Sequence, residues 1–509
     1  MIRVLGVHTA IITPQEAKMH STFFRNLSAN IRFLDQVLHV PDNTDMVKRE
    51  FLSMGLNCIL YYVDGLTGTA MAADYILQPL MNCKEPRAGK EALQAATRQL
   101  IATPEVKTTK DPSAAIDALM HGLCLILLDG VAEAILVDSR MYVKRSVSTP
   151  PTETVVIGPH EAFTEPLRDN LTLMHRILPT ENLICKMLAV GRQVSVKVSL
   201  CYIEGICPQE TVDEIIHRLE ACAVDDVQGS GMLAQLLEDD PFAPLPQILS
   251  TERPDRAASF ILEGQAVLLI DGSPRALAMP IGLWHLFHAP DDSYMRWQYG
   301  SFMRIIRMVG AVVALLLPAV FVSIVTFHPI ALPMSLLTNI IQSRSVISIS
   351  LFTEALLMLT VFDLINEAGT RIPGLLGSSF GLVSALILGT AAVDAGMVSP
   401  LLLIVVALSG LGSYALPDYS LSFAFRMGQM LLLIAGGLMG LPGVCVVSVA
   451  LIMRVAGMQS FGRPYLAPST PRRTRNPDLV MRAPVYRQRL RGYLADPLRM
   501  LRARGRMRK

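Results

Sequence analysis

The chain has 509 residues, of which 51% are hydrophobic and only 17% charged, and its mean hydropathy is +0.41. Soluble globular proteins carry about 25% charged residues, so this composition excludes a disordered chain, a collagen and a small disulfide scaffold, and it predicts a membrane-embedded part. The charge is unevenly divided. Residues 472–509 contain twelve arginines and one lysine against two aspartates, a net charge of +11, so residues 1–471 carry −9 within a total of +2.

The N-terminal 300 residues have the charge density of a soluble protein. Their first apolar run is broken by His8 and Thr9 and is followed by no small-residue cleavage site, so we expect no signal peptide. The eight cysteines form no C-x-x-C pair and show no histidine partner at metal-ligand spacing, which favours free buried thiols in a reducing compartment. We therefore expect this region to be cytosolic, with no cofactor and no metal.

Four short apolar runs each end in an acidic residue followed by glycine, at 58–65, 125–130, 198–205 and 267–272. Each pattern predicts a buried strand closed by a turn, because the carboxylate bonds locally and the glycine accepts a positive φ. The first and third runs are followed by helix patterns at 71–81 and 210–222. The second and fourth instead continue into further strands at 133–138 and 275–280.

The spacing of these runs repeats along the chain. Asp64 and Asp129 are 65 residues apart, Glu204 and Asp271 are 67 apart, and an offset of 142 aligns eight identical residues between the two stretches. The same order of strand, helix, strand and strand in both stretches predicts an internal duplication. We expect an α/β cytosolic region of two related units, at 1–145 and, with a Pro/Thr-rich linker, at 146–300. An all-α polytopic membrane bundle at 301–460 and a basic cytosolic tail at 461–509 follow.

The repeated Asp-Gly pairs are interpreted as turn residues rather than as catalytic carboxylates, because they occur in four equivalent places. The sequence contains no phosphate-binding loop, dinucleotide fingerprint, nucleophile elbow or H-E-x-x-H zinc motif. We therefore expect that the protein is not an enzyme.

A helix needs about 20 apolar residues to cross the hydrocarbon core of a bilayer. Five stretches qualify, at 308–327, 346–362, 374–393, 400–417 and 427–453. The last is too long for one upright helix, so a kinked helix or a tight hairpin are both open, and four to six spans are expected. Arginines before the first span and in the tail place both flanks in the cytoplasm, which requires an even number of crossings.

Glu354 is the acidic residue that this pattern places in the middle of a span, with Ser350 one turn away and Thr353 adjacent. A charge at that depth is costly, so it faces protein or water rather than lipid. One interpretation is that Glu354 belongs to an ion path or a proton-linked gate. Asp394, near the outer surface, is a further candidate for the ion path. The other is a protonated glutamate that is hydrogen-bonded to a neighbouring helix.

Small residues at helical spacing predict close helix contacts and a homo-oligomer; the candidates are Gly374, Gly377, Gly381 and Ser384. The basic tail is expected to bind anionic membrane lipids or to fix topology. Nucleic-acid binding is not expected, because only Tyr486 and Tyr493 are aromatic in the tail.

Several segments resemble the A-subunit family of bacterial spore germinant receptors, the GerA family. They cover residues 50–468 and include TETVVIGPHEAFTEPLRDNLTLM (152–174), EGQAVLLIDGSPRALAMP (263–280), NEAGTRIP (366–373) and QSFGRPYLAP (459–468). The chain departs from the family pattern at 157–165, where two arginines are absent, and at Leu359, where an acidic residue is usual. The resemblance therefore implies no role for those charges in this chain.

The resemblance implies a subunit of a nutrient-sensing complex in the spore inner membrane, beside a transporter-like B subunit and a lipoprotein C subunit. It also implies assembly into a channel that releases ions at germination. Two alternatives stay open: a SpoVAF-like accessory channel of the dipicolinate-release system, and a non-conducting membrane scaffold for a B-subunit partner.

Overall fold

The computed structural model describes residues 22–140, 150, 152–371, 387–470, 478–479, 481–492 and 494–502. They belong to two compact units. The first lies within Met1–Glu238, Ser250–Pro280 and Ala495–Met500, and the second within Asp239–Leu249, Ile281–Leu494 and Leu501–Lys509. The first unit is α/β and the second is mainly helical, as the predicted fold class requires.

The first half of the α/β unit forms a five-stranded sheet with strand order β1-β2-β4-β5-β3, in which each neighbouring pair is antiparallel. Its strands are β1 (Met46–Ser53), β2 (Leu56–Val63), β3 (Val106–Thr109), β4 (Cys124–Leu128) and β5 (Ala134–Val137). Its helices are α1 (Leu27–Val37), α2 (Thr69–Ala72), α3 (Gln78–Asn82), α4 (Gly89–Ala95) and α5 (Pro112–Met120). Two π-helical turns, Ala73–Leu77 and Ala96–Leu100, continue α2 and α4.

The central strands β2, β4 and β5 are apolar on both faces, and both faces of the sheet are covered. Cys58 and Leu60 of β2 pack into a core that includes Ile76 and Leu80. Ile59 packs on the opposite face, in a second core that includes residues of α1 and α5. Successive side chains of a strand point to opposite faces, so a continuous apolar run supplies both cores.

The second half repeats this architecture, with strand order β6-β7-β9-β10-β8. Its strands are β6 (Leu183–Val190), β7 (Val196–Ile203), β8 (Leu249–Thr251), β9 (Ala266–Ile270) and β10 (Ala276–Met279). Its helices are α6 (Leu167–Ile177), α7 (Gln209–Ala221), α8 (Ser230–Leu237) and α9 (Pro254–Glu263), of which α6 and α9 contact β7 and β9. The identical strand order confirms the predicted pair of related units.

The four acidic-glycine pairs close strands in the predicted way, and each glycine has a positive φ between 74° and 91°. Two of the aspartates also bond to the start of a helix. Asp129 Oδ1 accepts the Leu27 N–H at 3.2 Å, and Asp271 Oδ1 accepts the Leu167 N–H at 3.0 Å. In each half, this bond joins the second hairpin to the first helix of that half.

The second unit contains the long apolar helices. They are α10 (Leu283–Phe287), α11 (Asp291–Tyr294), α12 (Trp297–Phe327), α13 (Met334–Arg344), α14 (Leu351–Arg371), α15 (Pro400–Tyr414), α16 (Tyr419–Met439) and α17 (Leu441–Gly457). A further helical segment occupies 387–394, and a short pair of strands, β11 (Gln459–Ser460) and β12 (Arg463–Pro464), follows α17. Helix α12 contacts α14, α15, α16 and α17.

The helices differ from the predicted apolar stretches in three places. Helix α12 begins at Trp297, well before residue 308, because the arginine-containing turns ahead of the apolar stretch are also helical. Helix α13 was not predicted. Helix α14 begins at Leu351 rather than at 346.

The long stretch at 427–453 is a hairpin of α16 and α17, joined at Gly440. Gly440 has a φ of +67°, which lets the chain reverse in one residue. Gly436 lies against Val444 and Gly428 against Leu451, so the two helices are antiparallel.

Among the described residues, two helices are long and apolar enough to cross a membrane: α12, with 31 residues, and α16, with 21. The shorter apolar helices α15 and α17 accompany them. The expected total of four to six spans stays a prediction.

Candidate functional site

Three of the four candidate ion-path residues lie at the start of α14. The Ser350 hydroxyl accepts the Thr353 N–H at 3.2 Å and lies 2.8 Å from the Thr353 hydroxyl. This is the usual N-cap arrangement, in which a serine oxygen satisfies one of the free N–H groups of the first turn. Both side chains are exposed.

Glu354 points the other way, into the helical unit, and is fully buried. Its Oε1 accepts the Ser399 N–H at 2.5 Å, just before α15, and its Oε2 lies 3.5 Å from Arg344 Nε. Because α14 begins at Leu351, Glu354 lies in the first turn of the helix and not in its middle, where the stretch at 346–362 had placed it. The carboxylate therefore connects the ends of α13, α14 and α15.

The exposed face of α14 carries polar residues at regular spacing. Thr353, Thr360 and Glu367 are seven residues apart and exposed, with Leu357 and Leu364 between them. Seven residues are close to two helical turns, so these side chains form one stripe along the helix. Sequence analysis singled out Thr353 but not the stripe, since the pattern is visible only once the buried face is known.

A second polar group lies near the other end of α14. Asp363 Oδ1 lies 3.4 Å from Arg426 Nη1 of α16, and the Asn366 amide lies 2.7 Å from the Tyr414 hydroxyl. Arg426 Nε also donates to Ser413 Oγ at 3.2 Å. Polar groups inside an apolar bundle need partners of this kind. The isolated arginine within the apolar sequence of α16 was the signal that could have identified this group.

A buried charge network surrounds the start of α12. Asp292 accepts from Arg307 at 2.7 and 2.9 Å and from Arg304 at 3.1 Å. Arg304 also bonds to Asp478, at 2.7 Å, and Arg482 donates to the Ser293 carbonyl at 2.9 Å. Burial would raise the pKa of Asp292, but the bonds and charges of Arg307 and Arg304 outweigh it and hold the pKa below its ordinary value. The carboxylate therefore stays ionised.

The remaining predicted residues are not brought to this site. Asp394 is exposed, at the end of the helical segment 387–394. The packing candidates Gly374, Gly377, Gly381 and Ser384 lie outside the described residues.

The sequence alone did not indicate one buried cluster of possible metal ligands. Asp45, His175 and Cys185 lie in the α/β unit, and their ligand atoms are all within 4.8 Å of one another. The three residues are up to 140 positions apart, so no spacing in the sequence could reveal them. They could hold a metal ion.

Comparisons with known proteins identify relatives over nearly the whole chain. The family model described as Bacillus/Clostridium GerA spore germination protein matches residues 33–493. Spore germination protein B1 of Bacillus subtilis is 34% identical over 447 residues, which are 87% of this chain and 91% of the relative. The B. subtilis membrane protein YfkQ is 32% identical over 90% of this chain and 89% of its own length. The crystal structure of the N-terminal domain of the A subunit of the Bacillus megaterium germinant receptor GerK3 is 26% identical and covers 51% of this chain and 96% of its own, with a TM-score of 0.40.

Proposed function

We propose that this chain, which belongs to the GerA family of spore germination proteins, is the A subunit of a nutrient-sensing germinant receptor. In this proposal it is a multi-pass membrane protein and not an enzyme. Copies of it assemble into an ion-conducting channel beside a transporter-like B subunit and a lipoprotein C subunit. The observation that carries the proposal is the family match over residues 33–493, since it spans both the sheets and the apolar helices.

The charge network at the start of α12 supports a topology in which both flanks of the bundle lie on the cytoplasmic side. Asp478 follows the last apolar helix, yet it bonds to Arg304, which precedes the apolar part of the first. Two flanks that touch lie on the same side of a membrane, and this requires an even number of crossings. Arginines at that side agree with the preference of basic residues for the cytoplasm. The other arginines of the tail are then placed to bind anionic headgroups.

The exposed stripe of α14 is the part of the helical unit that best fits the lining of a pore. Its threonine hydroxyls and the Glu367 carboxylate offer oxygen atoms along one helix face, whereas the exposed side chains of α16 include Leu431 and Leu438. Oxygen-lined helix faces can replace part of the hydration shell of an ion. In an oligomer this face would point to the shared axis and the apolar faces to lipid.

Glu354 has two possible roles in this proposal, and they predict different results. As an ion-path group it would need its charge, so Glu354→Gln would lower ion flux. As a link between helices it accepts the Ser399 N–H, which a glutamine would still do, and only the ion pair with Arg344 would be lost. Its burial and its contacts within one chain favour the second role.

The test measures ion flux from the full-length chain reconstituted in liposomes. Thr353→Cys and Thr360→Cys are made in a Cys445→Ser background, because Cys445 is exposed. A cationic methanethiosulfonate reagent is expected to reduce flux through both variants. The matched control is Leu431→Cys, an exposed position on the apolar face of α16, whose flux should not change.

Two results would count against the proposal. Absence of flux from the assembled chain under all conditions would leave a non-conducting scaffold. Flux that the reagent does not reduce at either threonine would place the ion path elsewhere.

A further inference from the structure

The buried cluster of Asp45, His175 and Cys185 lies between the two halves of the α/β unit. Asp45 precedes β1 of the first half, His175 lies in the last turns of α6, and Cys185 is on β6 of the second half. His175 Nε2 is 3.1 Å from Asp45 Oδ2 and 3.8 Å from Cys185 Sγ. All three residues are at most 6% exposed. One imidazole nitrogen therefore faces both a carboxylate and a thiol in a closed interior site.

These separations match the edges of a tetrahedral zinc site. Zinc bonds of about 2.0–2.2 Å to nitrogen and oxygen and about 2.3 Å to sulfur put tetrahedral ligand atoms about 3.4 to 3.6 Å apart. The observed distances of 3.1 and 3.8 Å differ from these values by a few tenths of an ångström. A small rotation of each side chain would suffice to receive the ion.

Cys201 becomes a fourth ligand only after its side chain turns towards the other three, since its sulfur is not among the atoms that lie within 4.8 Å of one another. It lies directly opposite Cys185 in the β6–β7 ladder and is fully buried. The Cys201 Sγ lies 3.7 Å from the Ser199 hydroxyl. Cysteine binds a metal as the thiolate, so binding of zinc here would release protons to solvent.

The backbone around Cys185 is fixed by the segment that carries Asp45. The Thr44 hydroxyl donates to the Cys185 carbonyl at 2.7 Å, and the Met187 N–H donates to that hydroxyl at 3.1 Å. The Asn43 amide donates to the Leu183 carbonyl at 3.2 Å. At metal sites, hydrogen bonds from residues around the ligands hold those ligands in place.

The equivalent place in the first half carries a different set of residues. There Asp35 of α1 accepts from Tyr61 at 2.9 Å and from Lys48 at 2.6 Å, and Lys48 lies opposite Tyr61 in the β1–β2 ladder. That group satisfies its own hydrogen bonds and charges. The second half has exchanged it for an imidazole and two thiols, the donor types that zinc prefers.

We propose that His175, Cys185, Cys201 and Asp45 bind a zinc ion, which joins the segment before β1 to the sheet of the second half. The ion replaces the thiol protons and takes the lone pair of His175 Nε2. A closed site with four protein ligands has a structural role and leaves no position for substrate. Zinc binding at this site does not depend on channel activity.

The test measures zinc in the purified full-length chain in detergent, produced with an affinity tag that contains no histidine. Mass spectrometry of the elements is expected to find about one zinc ion per chain. Cys185→Ser should lose most of it. The matched control is Cys124→Ser, which alters a buried thiol of the first sheet that bonds to Ser139 at 3.0 Å and should leave the zinc content unchanged.

A second measurement does not depend on the folding of a variant. The wild-type chain is stripped with a chelator and refilled with Co²⁺, which should give the thiolate-to-cobalt absorption of a tetrahedral site with sulfur ligands. A wild-type chain that takes up neither Zn²⁺ nor Co²⁺ would overturn the proposal and leave a hydrogen-bonded Asp–His–Cys group. Full zinc content in Cys185→Ser would overturn it as well.

Discussion

The two halves of the α/β unit have the same backbone plan but different interiors. Both sheets have the same strand order, and in both an aspartate in the turn of the second hairpin bonds to the first helix. In both, a buried asparagine of that helix bonds to the chain six residues earlier: Asn30 to Phe24 and Asn170 to Thr164. The equivalent interior positions, by contrast, hold Asp35, Lys48 and Tyr61 in one half and His175, Cys185 and Cys201 in the other.

This difference indicates which residues a duplicated fold retains. Two residues that satisfy backbone groups, the buried asparagine and the aspartate of the second hairpin, are the same in both halves, because an unpaired buried backbone group is costly wherever it lies. Side-chain groups that satisfy one another can be exchanged as a set, since only their mutual fit matters.

The largest effect is expected from the asparagine pair. Asn30→Ala and Asn170→Ala each remove two bonds to the backbone and should lower local stability by about 2–4 kcal/mol. Hydrogen exchange measured by mass spectrometry should show faster exchange in α1 for the first variant and in α6 for the second. The exposed Asn57→Ala serves as control and should leave both helices protected. A change in only one of the two helices would show that the bonds are not equivalent.

A smaller effect, confined to alkaline pH, is expected from Cys124. Burial raises the pKa of this thiol from 9.0 to about 11. The folded chain therefore holds a proton that the unfolded chain has lost, and stability falls as the pH rises from 9 towards 11, by about 2 kcal/mol at pH 11. The second half has Ala266 at the equivalent position. Cys124→Ala should remove this part of the alkaline loss in thermal unfolding measured at pH 8 and pH 11. An unchanged loss would contradict the assignment.

The smallest effect distinguishes the two helix-bonding aspartates. Asp271→Ala should destabilise α6 by about 1–2 kcal/mol, since the preceding Pro166 provides no side-chain cap. Asp129→Ala should cost less, because Asn26 still accepts two N–H groups of α1. Hydrogen exchange in the first turns of α1 and α6 measures both. Equal effects, or a larger one at Asp129, would disprove this asymmetry.

Much of the fold could be predicted from the sequence, because its signals are local. The acidic-glycine pairs ended the predicted strands, and the repeated order of elements predicted the two sheets. The π-helical turns and α13 were not predicted, since their apolar spacing does not differ from that of ordinary helices or loops. Helix α14 was placed too early because the apolar run begins before the Ser350 cap, and this also misplaced Glu354.

The sites were less predictable, because they depend on contacts between distant residues. Asp45 meets His175 and Cys185 only after the two halves fold together. Arg426 meets Asp363 only after α14 and α16 pack. For Glu354, burial and its partner Ser399 could not be read from the sequence, which left the ion path and the hydrogen-bonded glutamate as open alternatives.

The most direct test of the central claim is nutrient-triggered release of dipicolinic acid from spores. It compares spores that carry the wild-type chain, spores that lack it, and spores in which the deletion is complemented at matched membrane levels. The account predicts that deletion abolishes the response to the cognate nutrient and that the wild-type chain restores it. Release that is only slowed by deletion would indicate an accessory channel, and release at the wild-type rate would contradict a receptor function.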